Sequence, residues 1–181
     1  MRISTREMVL ASLFTALIII AGFIIIPLPF SPVPLTGQTF AIMLVGMLFG
    51  TKLVIMSTGT YVLLGAIGLP VFSGFRGGLP VLLGPSGGYI VGFIVGAVVI
   101  SLLKGNGKNI YRVLFAGFIG GVIVIHAMGV PWLALQLSMD IKQAALIGSV
   151  PYLIGDGIKL VLAALLAVQL NSIVDVLKSA T

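Results

Sequence analysis

Four long stretches of this chain contain no charged side chain, and they constrain its fold more than any other feature. Only 8% of the 181 residues are charged, against roughly 25% in a soluble domain. Uncharged stretches of this length are typical of helices that cross a bilayer. We therefore predict an all-α membrane protein whose residues 1–181 form a single transmembrane domain. The stretches are residues 8–51, 53–75, 77–103 and 113–139.

Breaks between the apolar stretches predict six transmembrane helices, an amphipathic surface helix and two irregular loops. The loops are expected over residues 27–36 and 69–88, because repeated prolines and glycines there interrupt a helix. Irregular backbone at membrane depth is tolerated only against protein or a cavity, so the loops should fold back onto the helices. The six spans are expected at residues 6–26, 38–50, 53–68, 89–103, 111–128 and 147–170, and the surface helix at residues 131–146.

Basic residues are distributed unevenly over the two sides that these spans define. Because cytoplasmic loops carry an excess of Lys and Arg, the richer side should be cytoplasmic. This predicts a multi-pass protein of the plasma membrane with both termini in the cytoplasm and both irregular loops on the outer face. The richer side holds Arg2, Arg6, Lys52, Lys104, Lys108, Arg112 and Lys178, and the other holds Arg76 and Lys142.

Asp156 and Lys159 are an acid and a base within the last predicted span. Three residues apart, they lie on one helix face. Ionisable groups at hydrocarbon depth are costly and usually mark a functional site. One interpretation is a salt bridge that only neutralises the pair. The other is a binding site for a small polar ligand, favoured by Gly155 and Gly157, which leave the space around the carboxylate open.

Other polar and aromatic groups cluster near the two irregular loops. Thr36, Gln38 and Thr39 lie at the start of the second span, and Arg76 and Tyr89 lie within or just after the second loop, with two phenylalanines. Small-molecule pockets are mostly apolar and aromatic with a few fixed polar groups, which these loops would supply. The alternative is that the loops only make turns and that the aromatic rings form a belt at the membrane interface.

Several function classes lack the residues they need. The chain has no cysteine, and the single His126 cannot form a histidine cluster, so neither a thiol nucleophile nor a metal site is expected. The P-loop pattern G-x-x-x-x-G-K-[ST] is missing, so ATP binding by that route is excluded. The net charge of +6 is not arranged as a basic stripe for nucleic acid. We expect no enzyme and no cofactor; a self-sufficient proton-coupled carrier or channel remains the alternative to a binding subunit.

Four segments of the chain resemble, in order and spacing, the signature segments of the BioY family. That family comprises the biotin-binding S components of energy-coupling factor (ECF) transporters. The likeness covers nearly the whole chain, and the four segments are specific only in combination. They are Pro32-Val-Pro-Leu-Thr-Gly-Gln-Thr39, Gly68-Leu-Pro-Val-Phe72, Gly84-Pro-Ser-Gly-Gly-Tyr89 and Gly155-Asp-Gly-Ile-Lys159.

The resemblance implies the six-helix S-component bundle, with biotin binding from the outside beneath the first loop. It also implies a membrane scaffold subunit and two cytoplasmic ATPase subunits as partners. S components commonly meet the scaffold through an Ala-x-x-x-Ala pattern on the first helix. Here that position reads Ser12-Leu-Phe-Thr-Ala16, which keeps small residues but departs from the pattern at Ser12. The ureido N–H groups of biotin need an acceptor such as Asp156, and its oxygens need a donor. The expected ligand contacts are Asp156, Lys159, Tyr89, Gln38, Thr36, Tyr152 and Arg76.

Overall fold

The computed structural model of this protein describes the backbone of residues 3–179 and the side chains of residues 3–172. Arg2 and the side chain of Lys178, both counted in the orientation prediction, lie outside the described residues. The described chain is predominantly helical, as predicted. Its helices are α1 Thr5–Phe23, α2 Gln38–Leu48, α3 Thr51–Ala66, α4 Leu79–Leu82, α5 Gly87–Leu103, α6 Ile110–Gly117, α7 Ile125–Leu137, α8 Ile141–Gly148 and α9 Leu153–Ser179.

Three helical stretches among the described residues are long and apolar enough to cross a bilayer. They are Thr5–Phe23, Ile110–Leu137 and Ile141–Ser172. Two shorter apolar helices, α2 and α5, pack between them. The protein is therefore a helical multi-pass membrane protein.

The helices run back and forth between two ends of the bundle. One end carries the two irregular loops, residues 24–37 and 67–86, and we call it the loop end. The other carries the tight turn between α2 and α3 and the polar turn of residues 104–109, and we call it the turn end. At the turn end a capping box starts α1: the Glu7 amide donates to the Ser4 hydroxyl oxygen (3.2 Å), and the Ser4 amide donates to the Glu7 carboxylate (2.9 Å).

The core is organised around α2, which packs against α1, α5 and α9. A helix that is apolar on every face is normally enclosed by others, and α2 fits this description. Ala41, Ile42, Met43 and Val45 on successive faces are all fully buried. Because α2 begins at Gln38, its enclosed first turn carries polar side chains into the interior at the loop end.

A seven-residue π-helical segment, Phe118–Val124, joins α6 to α7 and makes them one continuous helix. Such segments interrupt the regular side-chain order and often occur at functional sites. Here the segment contains Gly120, and a Cβ there would collide with the Gly96 carbonyl of α5. This close approach brings the start of α7, including the buried His126, against the bundle interior.

The predicted surface helix over residues 131–146 is wrong. Pro131 instead lies inside α7, where burial of Val130 and Leu133 holds the helix together despite the missing amide. The helix ends at Leu137 because Ser138 adopts a left-handed conformation (φ 50°, ψ 42°). A separate short helix, α8, then leads through a 3-10 turn, Val150–Tyr152, into α9.

The first irregular loop folds back onto the bundle, as predicted. Helix α1 ends at Phe23 rather than near residue 26, because Ile25 and Ile26 pair in an antiparallel two-strand ladder with Thr36 and Leu35. This ladder fixes the base of the loop. Val33 within the loop is buried in the core, so the loop covers this end of the bundle.

The second loop is irregular apart from the single turn α4. Phe72 is its anchor: the ring is fully buried and fills the space beside Gly65, where a Cβ would collide with it. Phe75 is the exposed tip, held in a left-handed conformation (φ 57°) and stacked on Phe23 with ring centroids 4.1 Å apart. The second loop therefore contacts the last residue of α1 at the loop end.

Candidate functional site

Four polar side chains from three helices meet beneath the first loop, and we call them the polar cluster: Thr39, His126, Asp156 and Lys159. The Asp156 carboxylate is at their centre and is 2% exposed. Its Oδ1 accepts from the Thr39 hydroxyl and from the Lys159 ammonium, both at 2.8 Å, and its Oδ2 lies 3.0 Å from Nε2 of His126. Asp156 and Lys159 thus form the predicted pair, but they do not only neutralise each other.

The start of α9 explains why the acid lies here. Pro151 in the preceding 3-10 turn helps to end one helical segment and begin the next. Asp156 then lies in the first turn of α9, where the helix dipole favours a negative charge. Lys159 follows on the same face, about 9 Å along the axis from Leu153 at 1.5 Å per residue. The sequence predicted a greater depth, of about 15–20 Å, because it started this span at residue 147 instead.

Lys159 links the first loop to the cluster. Its Nζ donates to the Thr36 carbonyl (2.9 Å) and to the Thr39 hydroxyl oxygen (2.6 Å), as well as to Asp156 (2.8 Å). An ammonium has three N–H donors, so these contacts use all of them. Breaking this arrangement would leave a charge with few partners in an apolar bundle, which is strongly destabilising.

Two tyrosines flank the cluster. The Tyr89 hydroxyl donates to the Gly148 carbonyl (2.7 Å), and the Tyr152 hydroxyl donates to the Val33 carbonyl in the loop. Their ring centroids lie 6.0 Å and 6.2 Å from that of His126. The Tyr152 bond ties the first loop to the end of the 3-10 turn, so this tyrosine holds the cover over the cluster.

Gln38 lies on the other side of Thr36, next to the polar cluster rather than in it. Its Nε2 donates to the Tyr61 hydroxyl oxygen at 2.5 Å. A Cβ at Gly22 would come within 2.7 Å of the same nitrogen, so a glycine is needed there to admit the side chain. Gln38 is 3% exposed and faces inward from the first turn of α2.

Two adjoining cavities, each of about 40 Å³, lie between these groups. A volume of this kind holds about three water molecules. Both are lined by Val33, Pro34, Thr36, Tyr89 and Phe93. The first also reaches the polar cluster, Ile125 and Tyr152, and the second reaches Gln38, Tyr61, Ser73, Ser86 and Ile90.

Six of the seven residues predicted as ligand contacts line these cavities: Asp156, Lys159, Tyr89, Gln38, Thr36 and Tyr152. Arg76 does not line either one; its Nε donates to the Ser73 carbonyl (3.1 Å) within the turn of the second loop. Ser12 and Ala16 are exposed on α1, on a face that also presents Val9 and Leu13. That face is open for contact with another protein or with lipid.

His126 and Tyr61 belong to the site but were missing from the predicted contacts, and Thr39 was noted only as a polar group at the mouth of its span. A usable signal existed for His126, since a titratable residue inside an apolar span usually marks a functional site. His126 was weighed only as a metal ligand, and a single histidine without other ligands does not predict a metal site. Tyr61 gave no signal, because its partner Gln38 is 23 residues away in the chain.

A helical membrane bundle with a buried acid–base cluster beside a covered cavity defines a class: membrane-embedded proteins that bind a small polar solute. Comparisons with known proteins narrow the class. The family model described as "BioY family" matches residues 1–176. The chain belongs to the BioY family.

Relatives and a solved structure agree with this assignment. The biotin transporter BioY of Thermotoga maritima is 45% identical over 93% of this chain and 97% of its own length. The biotin transporter BioY of Rhizobium etli is 39% identical, over 90% of this chain and 91% of its own. A crystal structure of the S-component for biotin from an ECF-type ABC transporter superposes with a TM-score of 0.87 at 32% identity, covering 94% of this chain and 95% of that one.

Proposed function

We propose that this protein binds biotin from the outside, with high affinity, as the substrate-specific subunit of an ATP-driven ECF-type vitamin uptake transporter. The observation that carries the proposal is the position of the polar cluster. It lies inside an apolar bundle, beneath a folded-back loop, and its Asp156 and Lys159 are the acid and base of the segment that resembles the family signature. The protein acts by binding its substrate and not by catalysis.

The chemistry of biotin fits the lining of the two cavities. The fused rings require an apolar and aromatic surface, which Tyr89, Tyr152 and Phe93 supply. The ureido N–H groups require acceptors such as Asp156, and the carbonyl and carboxylate oxygens require donors. Thr36, Gln38, Lys159 and Arg76 are proposed for the remaining polar contacts, Arg76 only if the second loop shifts towards the ligand. Admission of a ligand of this size requires the first loop to move outward.

The membrane arrangement that supports this role has six transmembrane helices formed by one domain. The loop end faces outward and the turn end faces the cytoplasm, with both termini on the cytoplasmic side of the plasma membrane. In this arrangement the exposed small residues Ser12 and Ala16 allow close approach of a scaffold helix. Two cytoplasmic ATPase subunits supply the energy, because this chain lacks a P-loop sequence.

Equilibrium binding of biotin to the purified, detergent-extracted protein tests the proposal. We expect saturable one-site binding, retained in the absence of any other subunit. Transport is then measured in liposomes with and without the scaffold and ATPase subunits and ATP. Uptake that needs all of them supports the proposal. Uptake by this chain alone, driven by a proton gradient, would instead support a self-sufficient carrier.

A further inference from the structure

His126 has one ring nitrogen whose role the polar cluster does not explain. The residue is 9% exposed and lies at the start of α7, directly after the π-helical segment. Its Nε2 is 3.0 Å from the Asp156 carboxylate, whereas its Nδ1 is buried with no hydrogen-bond partner among the described residues. Buried polar atoms are nearly always paired, so an unpaired one at a ligand cavity requires an explanation.

The contact with Asp156 determines what the unpaired nitrogen can do. A carboxylate flanked by Lys159 and Thr39 is ionised and only accepts hydrogen bonds, so Nε2 of His126 must carry the proton that faces it. The Lys159 ammonium already balances the charge of this carboxylate, so a neutral imidazole keeps the buried cluster at zero net charge, and its other nitrogen is then a bare lone pair. Nδ1 of His126 is therefore a hydrogen-bond acceptor.

The rest of the cluster has little capacity left, and what remains is also acceptor capacity. All three N–H groups of Lys159 are used, on the Thr36 carbonyl, Thr39 and Asp156. The carboxylate of Asp156 receives three donors and has about four lone-pair sites, which leaves about one. The cluster therefore matches a ligand that offers N–H donors.

We propose that Nδ1 of His126 accepts one N–H group of the ureido ring of the ligand. The inference rests on the proposed biotin-binding function and adds a specificity-determining residue to it. A cyclic urea carries one N–H donor on each side of its carbonyl carbon, and the two N–H bonds point apart, so one of them can reach Nδ1 of His126 while the other faces a different part of the site. The site then selects ligands in which the ureido nitrogen that faces His126 is unsubstituted.

Nitrogen NMR on the unmodified protein tests this directly, because His126 is the only histidine in the chain. Protein labelled with ¹⁵N-histidine gives one pair of ring signals. We expect Nε2 to be protonated and Nδ1 bare, and we expect biotin to move the Nδ1 signal in the direction of an accepted hydrogen bond. Two derivatives of biotin, each methylated on one ureido nitrogen, serve as controls, and one of them should leave that signal unmoved.

A bound complex in which Nδ1 keeps its signal, or a protonated Nδ1 in the protein alone, would overturn the inference. The biotin-binding function would survive both results. Absence of biotin binding by the wild-type protein would instead overturn the proposed function itself. The two failures are therefore distinguishable in one set of samples.

Two substitutions of His126 distinguish the role of Nδ1 from that of Nε2. In His126→Gln the amide lies where Nε2 was and keeps the contact with Asp156, whereas in His126→Asn it lies where Nδ1 was. We expect His126→Gln to weaken biotin binding at least tenfold and His126→Asn to weaken it less. A loss in His126→Asn that equals or exceeds the loss in His126→Gln would mean that His126 acts by positioning Asp156, and an unchanged affinity in His126→Gln would mean that Nδ1 does not contact the ligand. If the glutamine variant does not fold, the NMR result on the wild type decides.

Discussion

Lys159 at the loop end is partly buried and Lys104 at the turn end is buried, and the surroundings of the two ammonium groups differ. Lys159 meets a carboxylate, a hydroxyl and a backbone carbonyl beside a cavity. Lys104 is 7% exposed and donates to the Met47 carbonyl at the end of α2 (2.8 Å). Among the described residues no carboxylate lies within ion-pair distance of Lys104. Its favourable partner is the negative end of the α2 dipole.

The comparison shows that burial of a charge does not by itself indicate a binding site. At the turn end the Asn171 amide also contacts the Met47 carbonyl (3.4 Å) and the Gly107 carbonyl (3.1 Å), so the arrangement closes the ends of the helices. The turn end also has the larger concavity, of about 710 Å³, between α1, the α2–α3 turn and α9. Among the described residues, only the loop end combines a charged cluster, a cavity and a buried ring nitrogen without a hydrogen-bond partner.

The largest expected effects are on biotin affinity when the loop-end pair is changed. Asp156→Asn and Lys159→Met should each weaken equilibrium binding at least tenfold, which corresponds to about 1.4 kcal/mol. Either change leaves its former partner incompletely paired inside the apolar bundle. Isothermal titration or filter binding on folded, monodisperse protein measures the loss.

Lys104→Met is the matched control for Lys159→Met, since it removes an enclosed ammonium group from the other end of the bundle. We expect it to leave biotin affinity within about twofold, or about 0.4 kcal/mol. Comparable losses from the two substitutions would mean that the ends do not differ in function. Unchanged affinity in both Asp156→Asn and Lys159→Met would mean that the ligand binds in another part of the bundle.

A smaller effect is expected when the cover over the cluster is loosened. Tyr152→Phe removes the hydroxyl that donates to the Val33 carbonyl and lies 2.9 Å from Oγ of Ser31. Loss of one such bond costs about 1 kcal/mol, so biotin should dissociate roughly five times faster. Stopped-flow displacement measures the rate. Tyr111→Phe, at an exposed residue of the turn end, is the control that should leave the rate unchanged.

The smallest effect is on stability and belongs to the turn end. Burial lowers the pKa of Lys104 to about 8 from its ordinary value of 10.5. Between these two values the unfolded chain binds more protons than the folded protein, so the free energy of unfolding should rise with increasing pH. Below the lower value the full cost of burying the ammonium is present.

Thermal midpoints of the wild type and of Lys104→Met at about pH 7 and about pH 10 measure this dependence. The thermal midpoint of the wild type should rise relative to that of the variant at the higher pH. The variant lacks the titrating group, and all other lysines are common to both proteins. A constant difference between the two midpoints would show that Lys104 keeps its proton throughout this range.

The sequence predicted the helical membrane fold, the folded-back first loop and the central acid–base pair. These features follow from local composition: long uncharged stretches, clustered prolines, and two charges within one span. The prediction from the sequence failed where residues distant in the chain but close in space determine the structure. Pro131 continues a helix because of the packing around Val130 and Leu133, and no local pattern distinguishes that case from a helix end.

The composition of the site was only partly predictable for a related reason. The Thr39 hydroxyl reaches Asp156 across 117 residues of chain, and His126 reaches it across 30. The π-helical segment that brings His126 inward has no distinctive residue type beyond its two glycines. Such contacts depend on how helices rotate against one another, which periodicity does not specify when every face of a helix is apolar.

Trp132 gives the protein a built-in optical probe. It is the only tryptophan in the chain, its indole N–H donates to the Gly84 carbonyl (2.9 Å), and its ring packs against Gly87 and Gly88, immediately before Tyr89. Indole emission depends on the polarity and rigidity around the ring. Movement of Tyr89 when the cavity fills would therefore alter the fluorescence of a single, unambiguous chromophore, and occupancy could be followed in real time without attaching a dye.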